Sequence, residues 1–290
     1  VDWDAMAGDN IGWSRRQGDV ERISRTTAEL PIPVNAARSV ARPVLRALEH
    51  VGRLGMMLLE LARALPEWRI WLPRTVEQCR VVGTGSLGIV VLTSVFAGGV
   101  TALQAGYQFT GSIPLYLVGS IVAESIILEL GPVLTGLLLA GRVGARYAAE
   151  LGTMRVTEQI DALESLGRNP ASHLLLPRVL AGILMVPALV IFADATGLVA
   201  GWLASKQSLH ITDADFIYGT RYNFRPFDLW YSAIKGLAFG AVITIVPCYV
   251  GYSAKEGAEG VGRATTTAVV VSCVLILVLD FVLAKILLPT

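Results

Sequence analysis

Five stretches of this chain, near residues 81–105, 114–140, 173–204, 228–252 and 265–288, are each apolar over twenty residues or more, and about twenty is what a helix needs to cross a bilayer core of about 30 Å. In hydrocarbon every main-chain polar group must be satisfied within the segment that carries it, so five separate runs of this kind fold as helices. The expected class is an all-α polytopic membrane protein, with an N-terminal interfacial helix, five transmembrane helices and a cytoplasmic loop helix. Composition agrees, with 53% hydrophobic and 16% charged residues in 290, which excludes an ordinary soluble domain. A net charge of +1 gives no reason to expect nucleic acid as a partner. The third run is long enough to be tilted or broken at Pro187, where the ladder loses one N–H.

Charge is segregated along the chain. No Asp, Glu, Lys or Arg lies between Arg80 and Glu124, and the first eighty residues hold half of the 24 basic residues. Arg142, Arg146, Arg155, Arg168 and Arg178 crowd the connection between the second and third runs. The positive-inside rule then puts the N-terminus and this loop in the cytoplasm and the C-terminus outside, although Lys206, Arg221 and Arg225 on the 205–226 loop pull the other way. Cys79, Cys248 and Cys273 are odd in number and lack metal-ligand spacing, as inert thiols in apolar surroundings would. No metal or other cofactor is expected in this chain.

Ahead of the first run, Leu45, Leu48, Met57, Leu58 and Leu61 alternate with Arg46, Glu49, Arg53, Glu60 and Arg63, followed by Pro66, Trp68 and Trp71. That mixture predicts a helix over 44–72 lying in the interface, tryptophans at headgroup depth. Residues 1–43 show no sustained period and are expected to be a cytoplasmic tail or the end of a lost domain, outside a membrane-spanning body over 44–290. The chain opens at Val1, so an upstream piece is expected to be missing.

Gly83, Gly85 and Gly88 spell GxGxxG, but no βαβ pattern surrounds them and no acid follows about twenty residues on, where Leu103 and Gln104 sit. Close helix approach accounts for them better, as it does for the small-residue pairs Gly197/Gly201 and Gly236/Gly240.

Charges at membrane depth cost several kcal/mol unless paired or wet. Glu124 and Glu129 lie on the second run, Asp194 on the third, Lys235 on the fourth and Asp280 on the fifth. The expected pair is Glu129 with Lys235, either as the polar patch of a substrate cavity or as an ion pair fixing helix register.

The 141–172 loop carries a helix expected over 153–166, with Gly152 loosening its start and Gly167 capping its end in the left-handed conformation. Val156, Ile160 and Leu163 form one stripe and Glu158, Asp161 and Glu164 another. A helix resting on lipid headgroups would prefer a basic face, so an acidic one points to a protein partner.

The run ELGPVLTGLLLAGRVGARYAAELGTMRVTEQIDALESLG, followed by PRVLAG, resembles the signature of the MlaE/YrbE family of ABC transporter permeases, as do EGVGRATTTAVV at 259–270 and LDFVLAKIL at 279–287. The resemblance spans about 45–288. It implies a homodimer that associates with a cytoplasmic ABC ATPase and an outer MCE-domain lipid-binding protein in a bacterial inner membrane, and moves phospholipids or related lipids. By the same resemblance, Val156, Glu158, Gln159, Ile160, Asp161, Leu163 and Glu164 belong to a coupling helix facing the ATPase. Glu129 and Lys235 line a lipid cavity with Val95, Leu103 and Tyr107 as apolar wall. Relatives that carry Arg directly before the acid of ELGP differ here, where the position is Leu128. No GxxxxGK[ST] occurs in the chain, so ATP is expected to be used by a partner.

Three rivals remain on sequence alone. A solute-importing ABC permease would have a more polar cavity. A proton-coupled carrier would use Glu124, Glu129, Asp194 and Asp280 as a relay. An intramembrane enzyme finds no triad or metal spacing among His50, His173 and His210.

Overall fold

The structure, a computed structural model, describes residues 32–109, 114–254 and 257–288, with side chains from Leu48 onward. No β-strand occurs among the described residues. Five helices are long and apolar enough to cross a membrane, and they are numbered here in chain order as spans one to five: Trp68–Gln108, Leu117–Val156, Ala171–Ser208, Pro226–Tyr252 and Gly257–Leu287. The all-α, five-span architecture expected from the apolar runs is the observed one.

Two compact units divide the chain, Val1–Met57 and Leu58–Thr290. Of the expected tail over 1–43, residues 1–31 lie outside the described residues. In place of a helix over 44–72 there is one from Ile32 to Ala64, because Pro66 has no N–H and disfavours helical geometry in the residue before it. Trp68 and Trp71 therefore open span one, and the Trp71 indole N–H donates back to the Leu65 carbonyl at 3.0 Å.

Within the second unit, span three is the central strut, packed on spans one and four, while the inner half of span two lies against spans four and five. The small residues set these distances. A Cβ on Gly98 would fall 2.0 Å from the Gly197 carbonyl oxygen, one on Gly240 would fall 2.6 Å from that of Gly182, and one on Gly236 would fall 2.9 Å from the Pro187 Cα. Both small-residue pairs read from the sequence are thus used between spans of the same chain. Gly83 of the GxGxxG run likewise lies against Met185. Span three continues unbroken through Pro187.

Span two is longer than the apolar run that announces it and contains two π-helical turns, Ile126–Leu130 and Ala140–Gly144. A third, Ala171–Leu175, opens span three. Each such turn holds an extra residue and so re-aims the side chains that follow it. Beyond the second, the helix runs through Arg146 to Val156. The helix expected over 153–166 is consequently two pieces: the end of span two and a short helix Gln159–Ser165, separated at Glu158, whose φ of 58° is left-handed. Gly152 does not loosen a helix start; it is buried inside the helix, and a Cβ there would meet Ala254 and Val261 at 3.4 Å. Gly167 does end the short helix at φ 71°. Its N–H reaches the Glu164 carbonyl at 2.9 Å and that of Arg168 reaches Leu163 at 3.1 Å, the paired bonds of a Schellman cap.

The 205–226 connection, read from sequence as a polar loop, contains a helix, Asp213–Tyr222. Thr212 caps it by accepting from the Asp215 N–H at 3.2 Å. It packs on the start of span two, where Tyr116, Tyr218 and Tyr222 meet edge-on or tilted with ring centroids 5.2–6.0 Å apart.

Candidate functional site

The second span carries its informative acid in a local irregularity. Pro132 has no N–H to offer the Leu128 carbonyl four residues back, so a regular α-helical rung is impossible there. The chain answers with the π-turn Ile126–Leu130, closed by the Gly131 N–H on the Ile126 carbonyl. The Leu128 carbonyl is met by Lys235 Nζ from span four at 2.9 Å.

Lys235 is fully buried. Its ammonium has three donors, and three oxygens surround it: Leu128 O, Glu129 Oε1 at 2.9 Å and Asp280 Oδ1 at 2.7 Å. The Tyr231 ring centroid lies 4.6 Å away, adding a cation–π contact. Spans two, four and five are therefore pinned at one level by a single cation. Glu129 keeps 46% of its side chain exposed, against 19% for Asp280, so Glu129 is the acid that faces outward from the cluster. Among the sequence candidates, Glu129 and Lys235 come together. Asp280 was noted as an acid needing a partner, but its partner was not foreseen, since nothing in an almost wholly apolar span reveals which way one residue points.

Asp194, on span three, stands one step away. Its Oδ2 accepts from the Ser232 hydroxyl at 2.7 Å, and Ser232 precedes Lys235 by three residues on the same helix. Its Oδ1 lies where a Cβ on Gly131 would be, 1.7 Å from that position, so only glycine fits at the end of the π-turn.

Val95, Leu103 and Tyr107 lie elsewhere. They are 39%, 44% and 85% exposed, on the outward side of span one. The structure does not gather them with Glu129 and Lys235.

At the opposite end, Ile160 is buried while Val156 and Leu163 are half-buried, so the apolar stripe of the loop helix faces its own chain. The acidic stripe is exposed and partly tethered: Arg155 holds Asp161 at 2.5 Å and lies over the Tyr252 ring, whose hydroxyl donates to Glu164 at 3.2 Å. Glu158 and Gln159 are exposed, and Leu166 shows 75% of its surface. Beneath the helix, a cavity of about 260 Å³ is lined by Leu163, Arg74, Gln78, His173 and Arg178. Two loop arginines that topology alone would explain have bonding duties as well. Arg178 and Arg146 both hold Glu150, at 3.1 and 2.6 Å, tying the end of span two to the start of span three.

The Asp213–Tyr222 helix is anchored by Asp213, which accepts from Lys206 at 2.8 Å and from the Trp202 indole at 3.0 Å. The Lys206 bond holds the Asp213 carboxyl below the usual carboxylate range. Among the described residues no group of three or more His, Cys, Asp and Glu is placed to hold a metal ion.

A cluster that binds spans at membrane depth, with a tethered helix at one end of the bundle, fits a permease, and residues 75–286 match the family described as Permease MlaE. This chain belongs to the MlaE permease family. It is 37% identical over 252 residues to a probable ABC transporter permease protein of Rickettsia felis, covering 87% of this chain and 97% of that one. It is 33% identical over 258 residues to the intermembrane phospholipid transport system permease protein MlaE of Haemophilus influenzae, with 87% and 97% covered. The chloroplastic protein TRIGALACTOSYLDIACYLGLYCEROL 1 of Arabidopsis thaliana is 35% identical over 258 residues, with 89% and 72% covered. An MlaE permease is an ABC transporter subunit for lipid transport that has no ATPase domain of its own and works with a partner ATPase. Its five spans make it a multi-pass protein of the bacterial inner membrane.

Proposed function

We propose that this chain moves phospholipids or related lipids between the inner membrane and an MCE-type lipid-binding protein on the outer face, as a homodimer driven by a separate ATPase that docks on the loop helix Gln159–Ser165. The N-terminus and loop helix are cytoplasmic in this reading and the C-terminus is on the outer side. The observation that carries it is the buried Lys235 with its two carboxylates inside an otherwise apolar bundle. Acyl chains need only burial, whereas a headgroup needs a few ionic contacts at a defined depth. Glu129, half-exposed beside Lys235, is the group placed to meet one.

The coupling role of Val156, Glu158, Gln159, Ile160, Asp161, Leu163 and Glu164 divides by exposure. Ile160, with Val156 and Leu163, holds the helix to its own chain, and Glu158, Gln159 and the acidic face meet the ATPase. Asp161 is a poor probe, because its Arg155 partner would be left beside any basic replacement. Glu158→Arg is cleaner. In proteoliposomes holding the permease with its ATPase, ATP-driven lipid transfer should fall at least about tenfold, a loss of about 1.4 kcal/mol in coupling, while the variant alone keeps its melting temperature. Unchanged transfer and unchanged ATPase co-purification would remove the docking assignment. Native mass spectrometry of the wild-type complex, showing two permease copies, an ATPase and an MCE protein, tests the rest.

A further inference from the structure

Outward of the lysine cluster, a cavity of about 490 Å³ opens between the second span and the start of the fourth, lined by Glu124, Leu128, Tyr222, Phe224, Arg225 and Asp228 among others. Its size falls in the range of about 300–1,000 Å³ typical of small-ligand sites. Leu128 is shared with the cluster, since its carbonyl accepts from Lys235. Glu124 stands seven residues into the helix that begins at Leu117, about 10 Å along its axis, and Glu129 is about 7.5 Å further in. Polar groups thus form a staircase from the rim, at Arg225 and Asp228, through Glu124 to Glu129 and Lys235.

The charges of the two levels have the same balance. The outer cavity holds two carboxylates, Glu124 and Asp228, against one guanidinium, Arg225. The inner cluster holds Glu129 and Asp280 against Lys235. Each level has one formal negative charge in excess. The outer acids are only lightly engaged: Glu124 accepts one long bond, 3.3 Å, from Ser120, and Asp228 accepts the Arg225 N–H at 2.9 Å in capping its helix. Neither is matched to a basic side chain within ion-pair distance among the described residues.

We propose that this outer cavity is a headgroup-selecting vestibule for zwitterionic phospholipids, in which Glu124 and Asp228 receive the headgroup ammonium and Arg225 meets the phosphate. An anionic headgroup brings a phosphate with no cation to offset the surplus carboxylate, so it is disfavoured at both levels. The guanidinium at the rim suits a phosphate because its planar fork matches two phosphate oxygens. The inference rests on the lipid-transport reading and names the substrate class for it.

The test uses the purified full chain in detergent, given equimolar phosphatidylethanolamine and phosphatidylglycerol of identical acyl chains and examined by native mass spectrometry. Phosphatidylethanolamine adducts should exceed phosphatidylglycerol adducts by at least about threefold, which is about 0.65 kcal/mol of discrimination. Glu124→Gln and Asp228→Asn, made separately, should each bring the ratio toward parity, and Arg225→Gln should lower both adducts. Equal binding of the two lipids by the wild-type chain overturns the proposal, as does a preference that survives both acid substitutions, which would mark the adducts as lipid bound elsewhere on the surface. ATP-driven transfer by the complex is scored separately. Transfer without headgroup preference removes only the vestibule, and preference without transfer removes only the transport reading.

Discussion

Lys235 on the fourth span donates to the main-chain carbonyl of Leu128 on the second across 2.9 Å, and this is the carbonyl for which Pro132 has no N–H. A buried ammonium and an interrupted helix ladder each leave a polar group short of a partner, and here each completes the other. The Glu-Leu-Gly-Pro sequence at 129–132 therefore supplies an acid and a gap for Asp194 and, through Pro132, frees the carbonyl of Leu128 just before it.

Removing the cation should be far worse than removing the whole cluster. Lys235→Met leaves Glu129 and Asp280 facing each other without it and should cost about 3–5 kcal/mol. Adding Glu129→Gln and Asp280→Asn to that variant should recover most of the loss. Thermal unfolding in detergent reads both, and additive losses in the triple variant would show that the three residues do not act as a unit.

Gly131 and Asp194 should couple in the same manner through space. Gly131→Ala drives a methyl into Asp194 Oδ1 and to 2.9 Å from the Ile126 carbonyl oxygen and should destabilise by about 1–3 kcal/mol, whereas Gly131→Ala with Asp194→Ala should regain the part due to the side chain. Gly98→Ala offers a contrast. Its Cβ meets the Gly197 backbone, so no side-chain trimming can rescue it. Melting temperatures of the three variants check the pattern.

The loop has two left-handed residues, Glu158 at φ 58° and Gly167 at φ 71°, and only one of them is glycine. Gly167→Ala should loosen the short helix by about 1 kcal/mol, while Glu158→Gly should leave it as stable or slightly more so. Amide hydrogen exchange over 159–165 distinguishes these outcomes.

Asp213 ties the Asp213–Tyr222 helix to Lys206 and Trp202 through a carboxyl held below its ordinary value by the Lys206 bond. Its contribution is complete above the unfolded-state value of about 3.9 and is lost as pH falls through the lower folded value. Tryptophan emission of the wild type should differ from that of Asp213→Asn at neutral pH and converge on it at an acid pH below the usual carboxylate range. A difference that persisted to that pH would detach the indole from Asp213.

The length of the apolar runs made the five spans legible, because hydrocarbon admits no other fold for them. Gly167 was legible as a cap, and Lys235 was legible as a residue in search of an acid. What escaped was rotational. Asp280 sits in a span so apolar that no period marks its inner face, and Val95, Leu103 and Tyr107 point outward from a helix whose buried side is made of small residues such as Gly98, Ala102 and Ala105. The break at Glu158 escaped because no Gly or Pro announces it. Thr212 and Asp215 did spell a cap for the outer helix, but the polar composition around them read as loop.

Where spans one and three cross, Gly98 and Gly197 put one main chain directly against another. A layer of side chains between two helices can change rotamers and absorb displacement, but a main-chain contact has nothing to yield. The two spans are close-packed there with no side chain between them, so sliding at this crossing is resisted more than sliding across a layer of side chains. Slip has to occur along other seams of the bundle, where side chains still separate the helices.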